Sequence, residues 1–130
     1  MLKGDLYRII GESRSEERLQ QGLREQLWFR IGLNAGHDIF KGHFPGNPVV
    51  PGVCQVEMIR ELLGTGYKKD FILSVADNIK FLTMIVPSLY PQIEVKLEVK
   101  EKESEMKEVN GVIFYDEVIF LKFRGIFKPQ

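Results

Sequence analysis

The chain has 130 residues, 44% hydrophobic and 28% charged, a composition that suits one globular domain spanning residues 1–130 with an ordinary core. Eighteen basic residues balance eighteen acidic ones, so no net field recruits nucleic acid or an anionic membrane surface. The opening Met1-Leu2-Lys3-Gly4-Asp5 lacks a signal-peptide pattern, no apolar run approaches a membrane span, and a lone cysteine excludes an internal disulfide. A reduced, cytoplasmic protein is the expectation.

In chain order, Leu6 to Ile10 reads as a short strand, and Gly11 to Glu17 as a polar turn with a charged approach. From about Gln21 to Leu33 a second strand is expected, because Leu27, Phe29, Ile31 and Leu33 alternate with Trp28, Arg30 and Gly32. Between Asn34 and Pro51 prolines and glycines exclude regular structure, apart from a single turn at Gly36 to Lys41. Val53 to Leu63 then predicts a helix that stops at Gly64-Thr65-Gly66. Its apolar side carries Cys54, Val56, Met58, Ile59, Leu62 and Leu63, and Val53, Glu57, Arg60 and Glu61 fall opposite.

The second half is strand-like. Phe71 to Phe81 is rich in β-formers, and Ile93, Val95, Leu97 and Val99 alternate without error against charged neighbours. After a charged turn at Lys102 to Glu105 come strands at Val109 to Tyr115 and Val118 to Phe127, separated by Asp116-Glu117. The class is α+β: an antiparallel sheet of about five to six strands that must curve around one dominant helix. Such a sheet leaves open edges, and edge pairing in a dimer is one way to remove them.

The chemistry concentrates in the loop and the helix start. His43 lies between Gly42 and Phe44-Pro45-Gly46, where a rigid backbone could present a general base near neutral pH, although a loop histidine also serves as a local hydrogen-bonding residue. Glu57 sits mid-sector on the polar side, as either a solvated carboxylate or an acid facing a pocket. Gly52 and Val53 open the helix, so their N–H groups are free to polarise a carbonyl. Cys54 reads as a small buried residue rather than a thiolate, and His37-Asp38 with His43 is too thin a cluster for a metal site. No metal and no cofactor are expected.

Gly42-His43-Phe44-Pro45-Gly46-Asn47-Pro48-Val49-Val50-Pro51-Gly52-Val53 followed by Glu57 resembles the active-site signature of the bacterial 3-hydroxyacyl-acyl-carrier-protein dehydratases of the hot-dog fold, in the branch that uses glutamate. Weaker likeness extends to Asn78-Ile79-Lys80-Phe81 and Val86-Pro87. The resemblance implies a sheet wrapped around one helix, and dehydration of a 3-hydroxyacyl thioester to the trans-2-enoyl product. It implies that His43 removes the C2 proton, that Glu57, partly protonated in an apolar tunnel, helps the C3 hydroxyl leave, and that N–H groups of Gly52 or Val53 polarise the thioester. Phe44, Pro51, Met58 and Phe81 would line the tunnel. Acyl carrier protein would be the carrier, met by basic residues among Lys41, Lys68, Lys69 and Lys80. A homodimer, alone or as three dimers together, would supply histidine and acid to each site from different subunits.

The sequence departs from that pattern at Arg60-Glu61, where a cation one turn from Glu57 could pair with it and depress its pKa, and at Ser88, where the family commonly has glycine. Two other functions remain open on the same fold. One is thioester hydrolysis by a carboxylate-activated water, and the other is a non-catalytic acyl-binding or assembly partner whose tunnel Arg60 and Glu61 close.

Overall fold

The computed structural model describes residues 1–42 and 48–130, so His43 and Phe44 lie outside the described residues. The elements are β1 (Tyr7–Leu19), β2 (Gly22–Leu33), a one-turn helix α1 (Ile39–Gly42), the main helix α2 (Gly52–Tyr67), then β3 (Phe71–Phe81), β4 (Gln92–Glu101), β5 (Lys107–Tyr115) and β6 (Val118–Pro129). The six strands form one sheet in the order β1-β2-β4-β5-β6-β3, and every neighbouring pair is antiparallel.

The alternation in the sequence sets which side of that sheet is buried. Leu27, Phe29 and Ile31 of β2, Ile93, Val95, Leu97 and Val99 of β4, and Val109 and Ile113 of β5 all face inward. Against them lie Met58, Ile59, Leu62 and Leu63 of α2, each with no solvent exposure. Full burial of such a side chain stabilises by about 2 kcal/mol, so this single apolar stripe fixes how the helix lies.

The structure corrects three readings. The polar stretch Gly11 to Glu17 is not a turn, because β1 continues through it to Leu19, paired residue by residue with β2 after a bulge between Ile9 and Gly11. As an edge strand exposed along most of this length it needs no apolar alternation, and its charges protect the edge and pair across the hairpin, as Arg14 does with Glu25 at 2.9 Å. The helix does not stop at Gly64 but runs to Tyr67, and the left-handed cap residue is Lys68 (φ 55°).

The two glycines serve packing instead. A Cβ on Gly66 would stand 2.7 Å from Cδ1 of Leu27, and one on Gly64 would stand 2.9 Å from the carbonyl oxygen of Lys69. The third correction concerns Glu61, placed by periodicity on the polar side, which is buried with 3% exposure, as is Gln55.

Gly64 offers a test in which sign decides. Helix propensity alone favours Gly64→Ala by up to about 1 kcal/mol. Overpacking against a backbone carbonyl costs about 1–3 kcal/mol. Gly64→Ala is therefore expected to lower stability by about 1 kcal/mol in urea unfolding, and a gain would refute this account of the close approach.

Candidate active site at the start of the main helix

α2 begins without a side-chain cap. Pro51 stands at the N-cap with φ −60°, and its carbonyl accepts from the N–H groups of both Cys54 and Gln55. Among the described residues neither Gly52 nor Val53 donates a hydrogen bond, so two N–H groups at the positive end of the helix are available. The ring of Phe81, at the end of β3, lies over Gly52 so closely that a Cβ there would meet Cζ at 2.7 Å. A side chain at this point would push the Phe81 ring aside, so Phe81 and the helix terminus form one surface. Val53 is 78% exposed, and Phe81, Leu82 and Met84 are also largely exposed, so the surface around these N–H groups is apolar and open.

One turn on from Val53, Glu57 points to the same side. Arg60 grips it with both oxygens engaged: Nε donates to Oε1 at 2.6 Å and Nη2 to Oε2 at 2.9 Å. The remaining terminal nitrogen, Nη1, donates to the carbonyl of Phe71 at 3.0 Å. The hydrogen bonds from Arg60 hold the Glu57 carboxyl below the ordinary carboxylate range, against a smaller opposing effect of partial burial. This realises the ion pair that the spacing allowed, and it favours the ionised form of Glu57.

Glu61, the next carboxylate along the helix, has a different task. It accepts hydrogen bonds from the N–H groups of Leu2 and Lys3, each at 2.9 Å, and from the Tyr7 hydroxyl at 3.0 Å. Burial and the adjacent Glu61 charge push the Tyr7 phenol far above its usual range, so it is a permanent donor. Glu61 thus ties the start of the chain to the helix. Behind Arg60 a cavity of about 420 Å³ is lined by charged and polar groups including Lys3, Glu61, Thr65, Lys68 and Asp70. That space is a depression open to solvent, bordered mainly by charged residues.

The other candidates separate clearly. Pro51 is buried beneath the helix start, and Met58 is part of the core, with no exposure. His37 uses both ring nitrogens locally, Nδ1 accepting from the Ile39 N–H and Nε2 meeting Asp5 at 3.0 Å. Burial, then the nearby Glu57 charge, raises the Cys54 thiol pKa, so it is not an activated nucleophile. Of the basic candidates, Lys41 pairs with Asp38 and Lys69 with Glu105, both at 3.1 Å, and Lys68 is exposed beside the polar cavity. Nothing in the helical pattern singled out Gln55, a buried amide whose Nε2 donates to the Val50 carbonyl at 3.2 Å and whose Oε1 has no partner among the described residues.

A six-stranded antiparallel sheet curved around one main helix defines a hot-dog-fold protein. More narrowly, the chain belongs to the ApeI-like dehydratase family, whose sequence model matches residues 20–114. It is 33% identical over 88 residues to the 3-hydroxyacyl-acyl-carrier-protein dehydratase FabZ of Clostridium acetobutylicum, covering 62% of this chain and 61% of that protein. The FabZ of Erythrobacter litoralis is 34% identical over 100 residues, covering 68% of this chain and 64% of the relative. The matched stretch thus spans less than two thirds of these curated relatives. A chain of the ApeI:P dehydratase heterocomplex of Xenorhabdus doucetiae superimposes with a TM-score of 0.61 at 18% identity, over 91% of this chain and 95% of that one, which establishes the shared fold.

The ion pair carries a pH signature. A carboxyl lowered in the folded state adds stability that is present above its unfolded pKa, about 4.3, and is lost as pH falls through the folded value. The stability gap between the native chain and Glu57→Gln should stay constant above about pH 5 and close below about pH 4 in urea unfolding. A gap that widens on acidification would contradict the direction of the shift.

Proposed function

We propose that the protein is a 3-hydroxyacyl-thioester dehydratase acting on acyl groups borne by acyl carrier protein, in fatty-acid or related acyl-chain synthesis. The observation that carries this reading is the placement of Glu57 one turn beyond two helix-terminal N–H groups that no described residue engages, on an open apolar surface, in a chain whose loop holds His43. The family membership and the names of its FabZ relatives support it.

In this reading the N–H of Gly52 or Val53 receives the thioester oxygen, which acidifies the C2 hydrogens by stabilising the enolate. His43 removes one C2 proton, and that electron pair forms the C2=C3 bond as the C3–O bond breaks. Glu57, held below the ordinary carboxylate range by Arg60, is poorly suited to supply the proton that the departing oxygen needs. The imidazolium at His43 returns it, so hydroxyl leaves as water and the histidine is regenerated. Glu57 accepts a hydrogen bond from the C3 hydroxyl and fixes which lone pair faces the histidine. Phe81, and Phe44 from the loop, would line the acyl path, whereas Met58 would support it from beneath.

We further propose a homodimer. β3 is an edge strand with Ile72, Val75, Ile79 and Phe81 exposed along it, and a second copy pairing there would cover this apolar row and roof the open surface beside Val53. The apolar wall missing from the single chain would then come from the partner. No helix of the described residues is long and apolar enough to cross a membrane, and a cytoplasmic location suits a carrier-bound substrate.

His43→Ala and Glu57→Ala should each reduce enoyl formation from a 3-hydroxyacyl thioester at least ~100-fold while both variants still fold and unfold cooperatively. Full activity in His43→Ala would overturn the assignment, release of free thiol without enoyl would mark a thioesterase, and binding without turnover would mark an acyl-binding partner. Placing lysines at both Val75 and Ile79 should yield a monomer by sedimentation and abolish turnover. A stable, active dimer carrying both substitutions would place the interface elsewhere.

A further inference from the structure

We propose that Arg60 is a positioning residue for the reaction: it holds both Glu57 oxygens and is itself anchored to the Phe71 carbonyl, so it fixes the direction in which Glu57 meets the substrate hydroxyl. The inference rests on the dehydratase reading and deepens it, assigning a task to a residue outside the histidine–glutamate pair.

The bland alternative is an ordinary pair three residues apart on a helix. Such pairs are worth roughly 0.3–0.5 kcal/mol and change partners freely. Arg60 differs in how completely it is committed. Nε and Nη2 form a fork on the carboxylate, and Nη1 holds a backbone carbonyl that cannot swing, at a residue with no solvent exposure. Three anchors on one planar group set its plane, and a forked contact passes that plane to the carboxylate. Each Glu57 oxygen keeps lone-pair capacity for an incoming hydroxyl. The order that a freely rotating glutamate would lose on binding substrate is already present.

The anchor also links two elements. Phe71 is the first residue of β3, so the carboxylate is referenced both to its own helix and to the strand whose far end carries Phe81 over Gly52. Acid, N–H donors and aromatic wall are thereby held in one frame. The charged and titratable groups acting on Glu57 are Arg60, Glu61 and Cys54 from its own helix, Tyr7 from β1, and the amino group of Met1, with Asp70 acting on Arg60 from the segment before β3. Arg60 exerts the largest effect, and its hydrogen bonds keep the carboxyl ionised.

Arg60→Met removes charge and fork at similar length, and Arg60→Lys keeps the charge without the fork. Dehydration kinetics and the carboxyl titration of Glu57 by carbon-13 NMR would be measured on the native protein and both variants. Arg60→Met should raise the Glu57 titration midpoint and lower kcat ~10- to 100-fold with a smaller change in KM. Arg60→Lys should keep Glu57 ionised at neutral pH yet recover only part of kcat. A native kcat in either variant, or a loss borne wholly by KM, overturns the positioning role, and the lysine variant decides the matter if the methionine variant fails to fold. No turnover in the native protein would instead overturn the dehydratase reading, and this inference with it.

Discussion

The burial of one helical stripe in a curved sheet is the constraint on which the rest depends. With Met58, Ile59, Leu62 and Leu63 committed to the core, α2 has one allowed rotation about its axis. That rotation turns Val53 and Glu57 outward, and it lays the first turn under Phe81. A polar residue reaches the open surface at the helix start because its apolar neighbours cannot leave the sheet. The glycines at the far end of the helix belong to the same constraint, since Gly66 lets α2 approach Leu27 and Gly64 lets the chain return beneath it.

Two carboxylates four residues apart show how environment rather than residue type assigns a role. Glu61 is buried and fully used, taking two backbone N–H groups and a phenol, which satisfies a charge that would otherwise be costly to bury. Glu57 is part-exposed and held by a single guanidinium, so both its oxygens remain within reach of a ligand. Exchanging their surroundings would leave a buried acid without donors and an open one without direction. The polar cavity behind Arg60 follows from the same arrangement, because the groups that fasten the chain start to α2 line it.

Period-two alternation made the inner strands legible, since a strand with one buried face must alternate: the errorless run from Ile93 to Val99 became β4 with every apolar residue inside. The outer half of β1 was hidden for the converse reason. Exposed on both faces, with backbone pairing and surface ion pairs in place of apolar contacts, it leaves no hydrophobic pattern, and Glu and Arg there look like a turn. Gly64 and Gly66 misled because a glycine marks either a helix stop or a close approach, and only the neighbouring Leu27 and the Lys69 carbonyl decide between them. The Glu57–Arg60 pair was visible in spacing, but its anchor at Phe71 was not, since that contact joins a helix to a strand across a turn.

The site carries two features that pull against each other unless the reaction divides its proton work unevenly. An arginine fork favours the anion at Glu57, whereas a proton donor needs the neutral acid. If one imidazole both takes the C2 proton and delivers it to the leaving oxygen, no second acid is required, and a carboxylate held below its ordinary range becomes an advantage. It offers the hydroxyl a fixed acceptor on every cycle, and its direction survives because Arg60 is tied to the strand as well as to the acid. On the dehydratase reading, the arginine at residue 60 would alter what the glutamate does without closing the site.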